Sequence, residues 1–156
     1  MVNVYADTSV IGGCCDKEFS EWSLALFEEF KTGAKKIIIS DLAADELTGA
    51  PDAVHLILNA VPLQYRQYLD TCEKAKELAL TYIREGALSN KSYNDALHIA
   101  LATLNNADVL ASWNFKHIVN LNRIRLYNSI NMRLGLRLIE IRTPREILNA
   151  KDNEES

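Results

Sequence analysis

The sequence has few cysteines, and their arrangement argues against two common uses of that residue. Three of the 156 residues are cysteine, two of them adjacent at Cys14 and Cys15 and the third at Cys72. An odd count does not make a disulfide framework, and no CxxC spacing is present to bind zinc. Because free thiols are typical of a reducing compartment, we expect a cytoplasmic protein.

Long apolar runs and nucleotide-binding motifs are also missing. No apolar stretch reaches the roughly 20 residues of a membrane span, so we expect no membrane association. The chain has no GxxxxGK(S/T) or GxGxxG phosphate loop and no GxSxG nucleophile elbow. These absences argue against P-loop, dinucleotide-binding and α/β-hydrolase chemistries.

Positive charge is scarce, which gives no general argument for nucleic-acid binding. The net charge is −4, but its distribution is uneven. Residues 1–115 hold 16 acids and 9 bases, whereas residues 116–145, the basic segment, hold 7 bases and a single acid, Glu140. The basic segment forms a phosphate-binding face, or its arginines pair with acids of the same domain. The sequence leaves both interpretations open.

What the chain does contain is a regular alternation of strand-like and helical stretches. Helical periodicity covers 20–33, 41–50, 52–60, 71–86, 92–106 and 119–134, and short β-rich runs lie at 2–6, 35–40, 108–112 and 136–141. Strands separated by helices predict an α/β fold, a three-layer α/β/α sandwich with a central, mostly parallel sheet.

The length suits one domain, over residues 1–148, followed by a frayed tail at 149–156. Thr143 and Glu146 have the spacing of a capping box with Pro144 at the first helical position, which predicts a last helix.

Three acids stand where a parallel sheet would bring them together. Asp7 directly follows the first predicted strand, Glu46 lies one helical turn beyond the second, and Asp95 opens the helix that leads into the third. Ligands bind at the carboxyl ends of the strands in such sheets. Each acid also has an ordinary structural explanation, as a turn or cap residue, an exposed helix acid, and a partner of Ser92 in a near-capping box. His98 has the spacing to pair with Asp95 on one helix face.

Taken together, the three acids indicate a divalent-metal site. Clustered carboxylates repel unless a cation neutralises them, and hard oxygen ligands suit Mg²⁺ or Mn²⁺ better than zinc. Such ions hold phosphates and activate water, which points to phosphodiester or phosphoryl chemistry. A small phosphatase is an alternative, but such enzymes place a second acid near the first, and "YADTSV" does not supply it.

Four segments resemble the PIN domain, and most closely the bacterial VapC-type toxin nucleases. They are "VYADTSV", "SDLAADEL", "NDALHIALATLNNADVLASWNFKHI" and "IEIRTPREIL", in this order between about residue 2 and residue 148. The resemblance implies a ribonuclease that uses Mg²⁺ or Mn²⁺ and cleaves RNA internally. It also implies an antitoxin partner and a homodimer.

The resemblance assigns site residues and shows one departure. Asp7, Glu46 and Asp95 match the three acids that hold the metal, and Ser112 matches a Ser or Thr at the end of a strand. The fourth acid of the family commonly falls at Asn114 or a few residues later, and neither place is acidic here. A non-catalytic PIN-like protein that binds RNA or another protein is therefore the alternative function.

The segment around Asn114 also offers groups that suit a nucleic acid. We expect phosphate contacts from four side chains, Lys116, His117, Arg123 and Arg125. Trp113 and Phe115 have rings that stack on an unpaired base, or they pack in the core. We favour core packing for Phe115 and leave both roles open for Trp113.

Overall fold

A computed structural model describes the backbone of residues 1–155 and the side chains of residues 1–150. Over this range the chain forms a five-stranded sheet in which every pair of neighbouring strands is parallel. The strands are β1 (Val2–Ala6), β2 (Lys35–Ser40), β3 (Arg66–Leu69), β4 (Val109–Ala111) and β5 (Ile141–Arg142). Their order across the sheet is β3-β2-β1-β4-β5, so β1 lies at the centre.

Helices cover both faces of the sheet and complete the three layers that the sequence predicts. They are α1 (Thr8–Gly13), α2 (Ser20–Thr32), α3 (Asp41–Glu46), α4 (Asp52–Asn59), α5 (Glu73–Arg84), α6 (Tyr93–Leu104), α7 (Leu121–Arg133) and α8 (Pro144–Glu155). One hydrophobic core lies under α5, α6 and α7, and the other lies under α1 to α4 and α8. The predicted α/β fold is therefore confirmed.

The strand β1 shows how the sequence builds two cores from one sheet. Successive side chains of a strand point to opposite faces. Val4 and Ala6 accordingly pack in the core of α1 to α4 and α8, while Tyr5 between them packs in the other core. All three are completely buried, as expected for a central strand covered on both faces.

The structure contains one strand that the sequence did not predict, and one predicted strand is mostly absent. The edge strand β3 has no apolar alternation to reveal it, since only its last residue is buried. The predicted strand at 136–141 is wrong over 136–140, where the backbone of Leu136 and Ile139 bonds to α7, although the Glu140 carbonyl accepts the Leu110 N–H of β4. There the Leu136 N–H donates to the Asn131 carbonyl and the Ile139 N–H donates to Asn128 Oδ1.

The predicted start of the last helix is confirmed. The Thr143 N–H donates to Glu146 Oε1 at 3.1 Å, and the Glu146 N–H donates to Thr143 Oγ1 at 3.2 Å. The predicted tail, 149–156, carries the last turns of α8 up to Glu155, while Ser156 lies outside the described residues. In the described part of the chain, every helix is too short or too polar to cross a membrane.

Candidate functional site

Asp7 is a buried carboxylate fixed by three donors. It follows β1 and caps α1, where its Oδ1 accepts the Val10 N–H at 3.1 Å. The Ser9 hydroxyl donates to the same oxygen at 2.6 Å, and the Ser112 hydroxyl donates to Oδ2 at 2.5 Å. The residue is only 3% exposed. Asp7 is thus a helix cap, and it also places a buried carboxyl group at the carboxyl end of the central strand.

Among the described side chains, Asp7 makes no ion pair. Burial raises the pKa of Asp7 above its usual range, because the charged form loses its hydration. His98 and the Ser112 and Ser9 hydroxyls oppose this rise in the pKa without cancelling it. An added cation beside Asp7 would therefore stabilise the ionised form.

Glu46 ends α3 and is held by two donors from other elements. The Thr8 hydroxyl, next to Asp7, donates to Glu46 Oε1 at 2.9 Å. His98 Nε2 lies 2.7 Å from the same oxygen. The hydrogen bond from His98 is the main cause of a lowered pKa at Glu46. Glu46 is thereby connected to the segment that carries Asp7 and to the helix that carries Asp95.

Glu46 lies at one end of a relay of buried, hydrogen-bonded polar groups, formed by His98, Tyr5 and Ser40. The Tyr5 hydroxyl lies 2.7 Å from His98 Nδ1 and 2.7 Å from the Ser40 hydroxyl, which in turn accepts the Ala43 N–H of α3. The ionised Glu46 only accepts, so His98 donates to it from Nε2. In the tautomer that carries a single proton, on Nε2, Nδ1 then accepts from Tyr5, and Tyr5 accepts from Ser40. Each link in this relay has both a donor and an acceptor.

The relay corrects a prediction about His98. The i, i+3 spacing on α6 suggested that His98 pairs with Asp95, and that prediction is wrong. His98 is 3% exposed, and its two ring nitrogens form hydrogen bonds with Tyr5 of β1 and Glu46 of α3. The helix α6 is buried at every position from 96 to 103, as its apolar sequence predicts.

Asp95 pairs with a different histidine. Its Oδ2 lies 2.9 Å from His117 Nδ1, and both side chains are about a quarter exposed. Ser92 makes no side-chain cap at the start of α6, so the capping-box explanation of Asp95 does not apply. The contact with His117 connects the first turn of α6 to the loop after β4.

Asn114 stabilises the turn in that loop. Its Oδ1 accepts the His117 N–H at 3.0 Å, and its own N–H donates to Ser112 Oγ at 2.9 Å. Since Ser112 also donates to Asp7, the loop and the buried acid share one hydroxyl. Asn114 therefore brings an amide oxygen to a turn, in the place where the sequence resemblance led us to expect an acid.

A divalent ion suits these residues in charge and in ligand type. The three acids supply hard oxygens, and the buried Asp7 has no cation beside it in the described part of the chain. Yet no three His, Cys, Asp or Glu side chains of the described residues are grouped closely enough to hold an ion. Glu46 and Asp95 are bound by histidines instead. The ligand types of these residues therefore fit a divalent ion. Their positions in this structure are set by hydrogen bonds to protein partners.

The basic segment is largely occupied within the molecule. Arg133 pairs with Glu85, and Arg142 pairs with Glu140. Three further arginines bind polar or aromatic partners. Arg123 donates to the carbonyls of Lys116 and Ala87, Arg137 donates to Asn106, and Arg145 lies 5.1 Å from the centre of the Trp22 ring. Two of the seven bases therefore pair with acids, as the pairing interpretation predicts, and three others bind neutral partners within the molecule.

Of the four predicted phosphate ligands, Lys116 and Arg125 are exposed and make no contact with an acid among the described side chains. His117 is half-buried against Asp95. The structure therefore leaves two of the four side chains available.

Several members of this network were missed by sequence reasoning. Thr8 and Ser9 belong to the quoted "ADTS", where two hydroxyls after an acid were a visible signal. Tyr5 and Ser40 gave no signal, because they look like ordinary strand residues. Their hydrogen bonds join positions 93 and 35 residues apart, which no local pattern reveals.

The fold is that of known toxins. VapC20 of Mycobacterium tuberculosis, a sarcin-ricin loop cleaving toxin, superposes with a TM-score of 0.56 at 11% identity, over 73% of this chain and 92% of VapC20. A toxin–antitoxin complex from Klebsiella pneumoniae matches with a TM-score of 0.56 at 16% identity, over 90% of this chain and 97% of that one. VapBC2 of Rickettsia felis, bound to a DNA fragment of its promoter, matches with a TM-score of 0.55 at 16% identity, over 91% of this chain and 98% of that one.

Sequence comparison adds nothing to this result, since no protein-family model and no curated protein matches the chain. At 11 to 16% identity the likeness concerns the fold. The resemblance to VapC-type PIN domains, inferred from the four sequence segments, is confirmed at that level.

Proposed function

We propose that this protein is an endoribonuclease that hydrolyses RNA phosphodiesters, and that it is the toxin of a toxin–antitoxin pair. One observation carries the proposal. The buried carboxylate of Asp7 makes no ion pair among the described side chains and lies at the carboxyl end of the central strand. Its neighbour Thr8 donates to Glu46, and Ser112, which donates to Asp7, lies in the loop whose His117 pairs with Asp95. Maintaining an unneutralised charge there costs stability, which a cation-dependent function explains.

Mg²⁺ or Mn²⁺ is the ion that the proposal assigns to Asp7, Glu46 and Asp95. When bound, such an ion neutralises the acids, polarises a phosphate and lowers the pKa of an attacking water. The protein's own contribution is positional. Ser9 and Ser112 fix the orientation of Asp7, and the histidine partners hold Glu46 and Asp95 at the ends of their helices.

The proposal also names a substrate, RNA, and a protein partner, an antitoxin. Lys116 is exposed in the loop after β4 and Arg125 is exposed on α7, and both would contact backbone phosphates. The structures with the same fold include toxin–antitoxin complexes, which supports an antitoxin as the protein partner. We extend the proposal to a homodimer, as the family resemblance implies.

A cleavage assay on a panel of single-stranded RNAs with Mn²⁺ tests the proposal. We expect the wild type to cleave at defined positions, and we expect Asp7→Asn and Asp95→Asn to lose activity by about 100-fold or more, as for the loss of a metal ligand. Asp52→Asn is the matched control, since Asp52 is an exposed acid on α4. Circular dichroism confirms that each variant is folded.

Two outcomes contradict the proposal. Cleavage that survives both Asp7→Asn and Asp95→Asn would place the chemistry elsewhere. An inactive wild type that still binds RNA, or another protein, would favour the non-catalytic alternative. One observation favours that alternative, namely that Asn114 supplies a turn-stabilising amide where the family commonly has an acid.

A further inference from the structure

Three aromatic rings form a cluster beside the candidate site. Phe19 and Trp113 are stacked, with ring centres 4.5 Å apart and an angle of 16° between their planes. The Phe115 ring leans on both, at 6.4 Å from Phe19 and 6.3 Å from Trp113. Trp113 is 8% exposed and Phe115 is 53% exposed. The expectation that Phe115 packs in the core is therefore wrong, and Trp113 forms the base on which Phe115 rests.

This aromatic base is rigidly connected to Asp7. The Trp113 indole N–H donates to Ser23 Oγ at 2.9 Å, and the Trp113 backbone N–H donates to Ser9 Oγ at 2.9 Å. The same Ser9 hydroxyl donates to Asp7. Gly13 leaves room for the indole, since a Cβ there would lie 3.1 Å from two of its atoms. The position of the rings is thus coupled to the position of the buried acid.

Phe115 itself stands on an ordered turn. The carbonyl of Asn114 accepts the N–H groups of Ile118 and Val119 at 3.1 and 2.8 Å, and its side chain accepts the N–H of His117. The backbone on the far side of Phe115 is therefore fixed by three hydrogen bonds. An exposed ring that is already held in place loses little conformational freedom when a ligand stacks on it.

We propose that the exposed face of Phe115 is a stacking subsite for an unpaired base of single-stranded RNA, next to the phosphodiester that is cleaved. The inference rests on the proposed function and adds the way in which the substrate is held. Base stacking on an aromatic ring tolerates any sequence, because every base has a π-face.

The charges of the molecule favour a base over a phosphate as the main anchor. The chain carries a net charge of −4, and the site itself is acidic. Most arginines of the basic segment are bound to internal partners, as described above. Electrostatic attraction to the RNA backbone is therefore modest, and stacking supplies binding energy that needs no positive charge.

Binding measurements in the Asp95→Asn background test this subsite without cleavage. Asp95 reaches the turn of Phe115 only through His117, and the asparagine of the variant keeps a side-chain oxygen that can accept from His117. The probe is a fluorescently labelled single-stranded RNA that the wild type cleaves, with Mg²⁺ present. We expect Phe115→Ala to weaken binding by roughly 5- to 150-fold and Phe115→Tyr to retain it. Leu56→Ala, at an exposed apolar residue on α4, is the matched control.

Abasic substitution along the RNA then locates the base. At one position the missing base should remove the difference in affinity between the Phe115→Ala variant and its parent, while elsewhere the difference should persist. Equal binding by Phe115→Ala and its parent overturns the subsite and leaves the ring as a contact for a protein partner. An effect of Phe115→Ala that is equal with every abasic probe also overturns it.

The two proposals fail in different ways. If the wild type cleaves no RNA, the proposed function fails, and binding is then measured with an uncut single strand of mixed sequence. If RNA is cleaved but Phe115→Ala has the wild-type KM and kcat, the function stands and the subsite fails. A loss confined to KM, with kcat retained on saturating substrate, supports the subsite.

Discussion

A buried carboxylate at position 7 lowers the stability of the fold at neutral pH. Burial raises the pKa of Asp7 above the 3.8 of a free aspartate, so the folded chain holds this proton more tightly than the unfolded chain. Below the unfolded pKa both states are protonated, and the group has no effect on stability. As the pH rises from there through the folded pKa, the unfolded state ionises first and gains relative to the folded state. The stability lost in this interval stays lost at neutral pH.

Replacing Asp7 with Asn should therefore stabilise the metal-free protein. The amide keeps the shape and an acceptor for the Val10 N–H but carries no charge to desolvate. In EDTA at neutral pH we expect the melting temperature of Asp7→Asn to exceed that of the wild type by roughly 2–8 °C. The gain should shrink as the pH falls toward the 3.8 of a free aspartate. Thermal melts across this pH range measure it.

The control for this effect is Asp52→Asn, whose carboxylate is exposed and should show no such gain. Saturating Mg²⁺ should raise the melting temperature of the wild type and leave Asp7→Asn unchanged, because only the charged site gains from a cation. A neutral-pH melting temperature of Asp7→Asn below that of the wild type would contradict the assignment of Asp7 as a destabilising charge.

At the same scale, sequence reasoning located the acids but not their partners. Asp7, Glu46 and Asp95 stand at element boundaries that periodicity identifies, so their placement along the chain was predictable. The partner of His98 was not predictable. The helical spacing pointed to Asp95, whereas the hydrogen bonds run to Tyr5 and Glu46 on other elements. A side-chain contact between elements depends on how they pack, and local sequence does not encode it.

Among the elements, the turn between α2 and β2 sets the start of the strand that leads to α3. Gly33 ends α2 with φ +82°, a left-handed conformation that suits glycine. A Cβ at this position would lie 2.5 Å from the Tyr65 ring, so the site excludes a side chain for two reasons. Gly86 has the same φ of +82° but open space around it.

These two glycines allow backbone strain and steric overlap to be separated. We expect Gly86→Ala to lower the free energy of unfolding by about 1–2 kcal/mol, from the left-handed conformation alone. Gly33→Ala should lower the free energy of unfolding by about 1 kcal/mol more than Gly86→Ala does, because the Tyr65 ring must also move. Urea denaturation of both variants measures the difference. In the Tyr65→Ala background the extra cost of Gly33→Ala should disappear, and equal costs in the wild-type background would refute the overlap.

The elements themselves were predictable to the extent that their residues carry a period. The buried β1, β2 and β4 and the apolar α6 stand out in the sequence. The edge strand β3 does not, since Gln67 and Tyr68 are exposed and only Leu69 is buried. Residues 136–140 have the composition of a strand, yet the backbone of Leu136 and Ile139 bonds to Asn131 and Asn128 of α7. Composition alone does not distinguish these two outcomes.

For the whole molecule, the distribution of charge determines how strongly salt would affect the proposed binding of RNA. The sequence alone left the basic segment divided between a phosphate-binding face and internal pairing. The structure shows internal partners for Arg123, Arg133, Arg137, Arg142 and Arg145. Within the part of the chain whose side chains are described, Lys116 and Arg125 are the exposed members whose charged groups have neither an acid nor a neutral partner.

We therefore expect a shallow salt dependence. Each phosphate that a single strand presents to a cation contributes about −0.7 to the slope of log K against log salt, so two contacts give roughly −1 to −2. Titration of a labelled RNA with the Asp95→Asn protein, from about 50 mM to about 200 mM salt, measures the slope. Arg125→Ala should reduce its magnitude by about 0.7, whereas Arg133→Ala should not change it, because Arg133 is bound to Glu85. A slope near −5, as seven free bases would give, would mean that the arginines leave their internal partners when RNA binds.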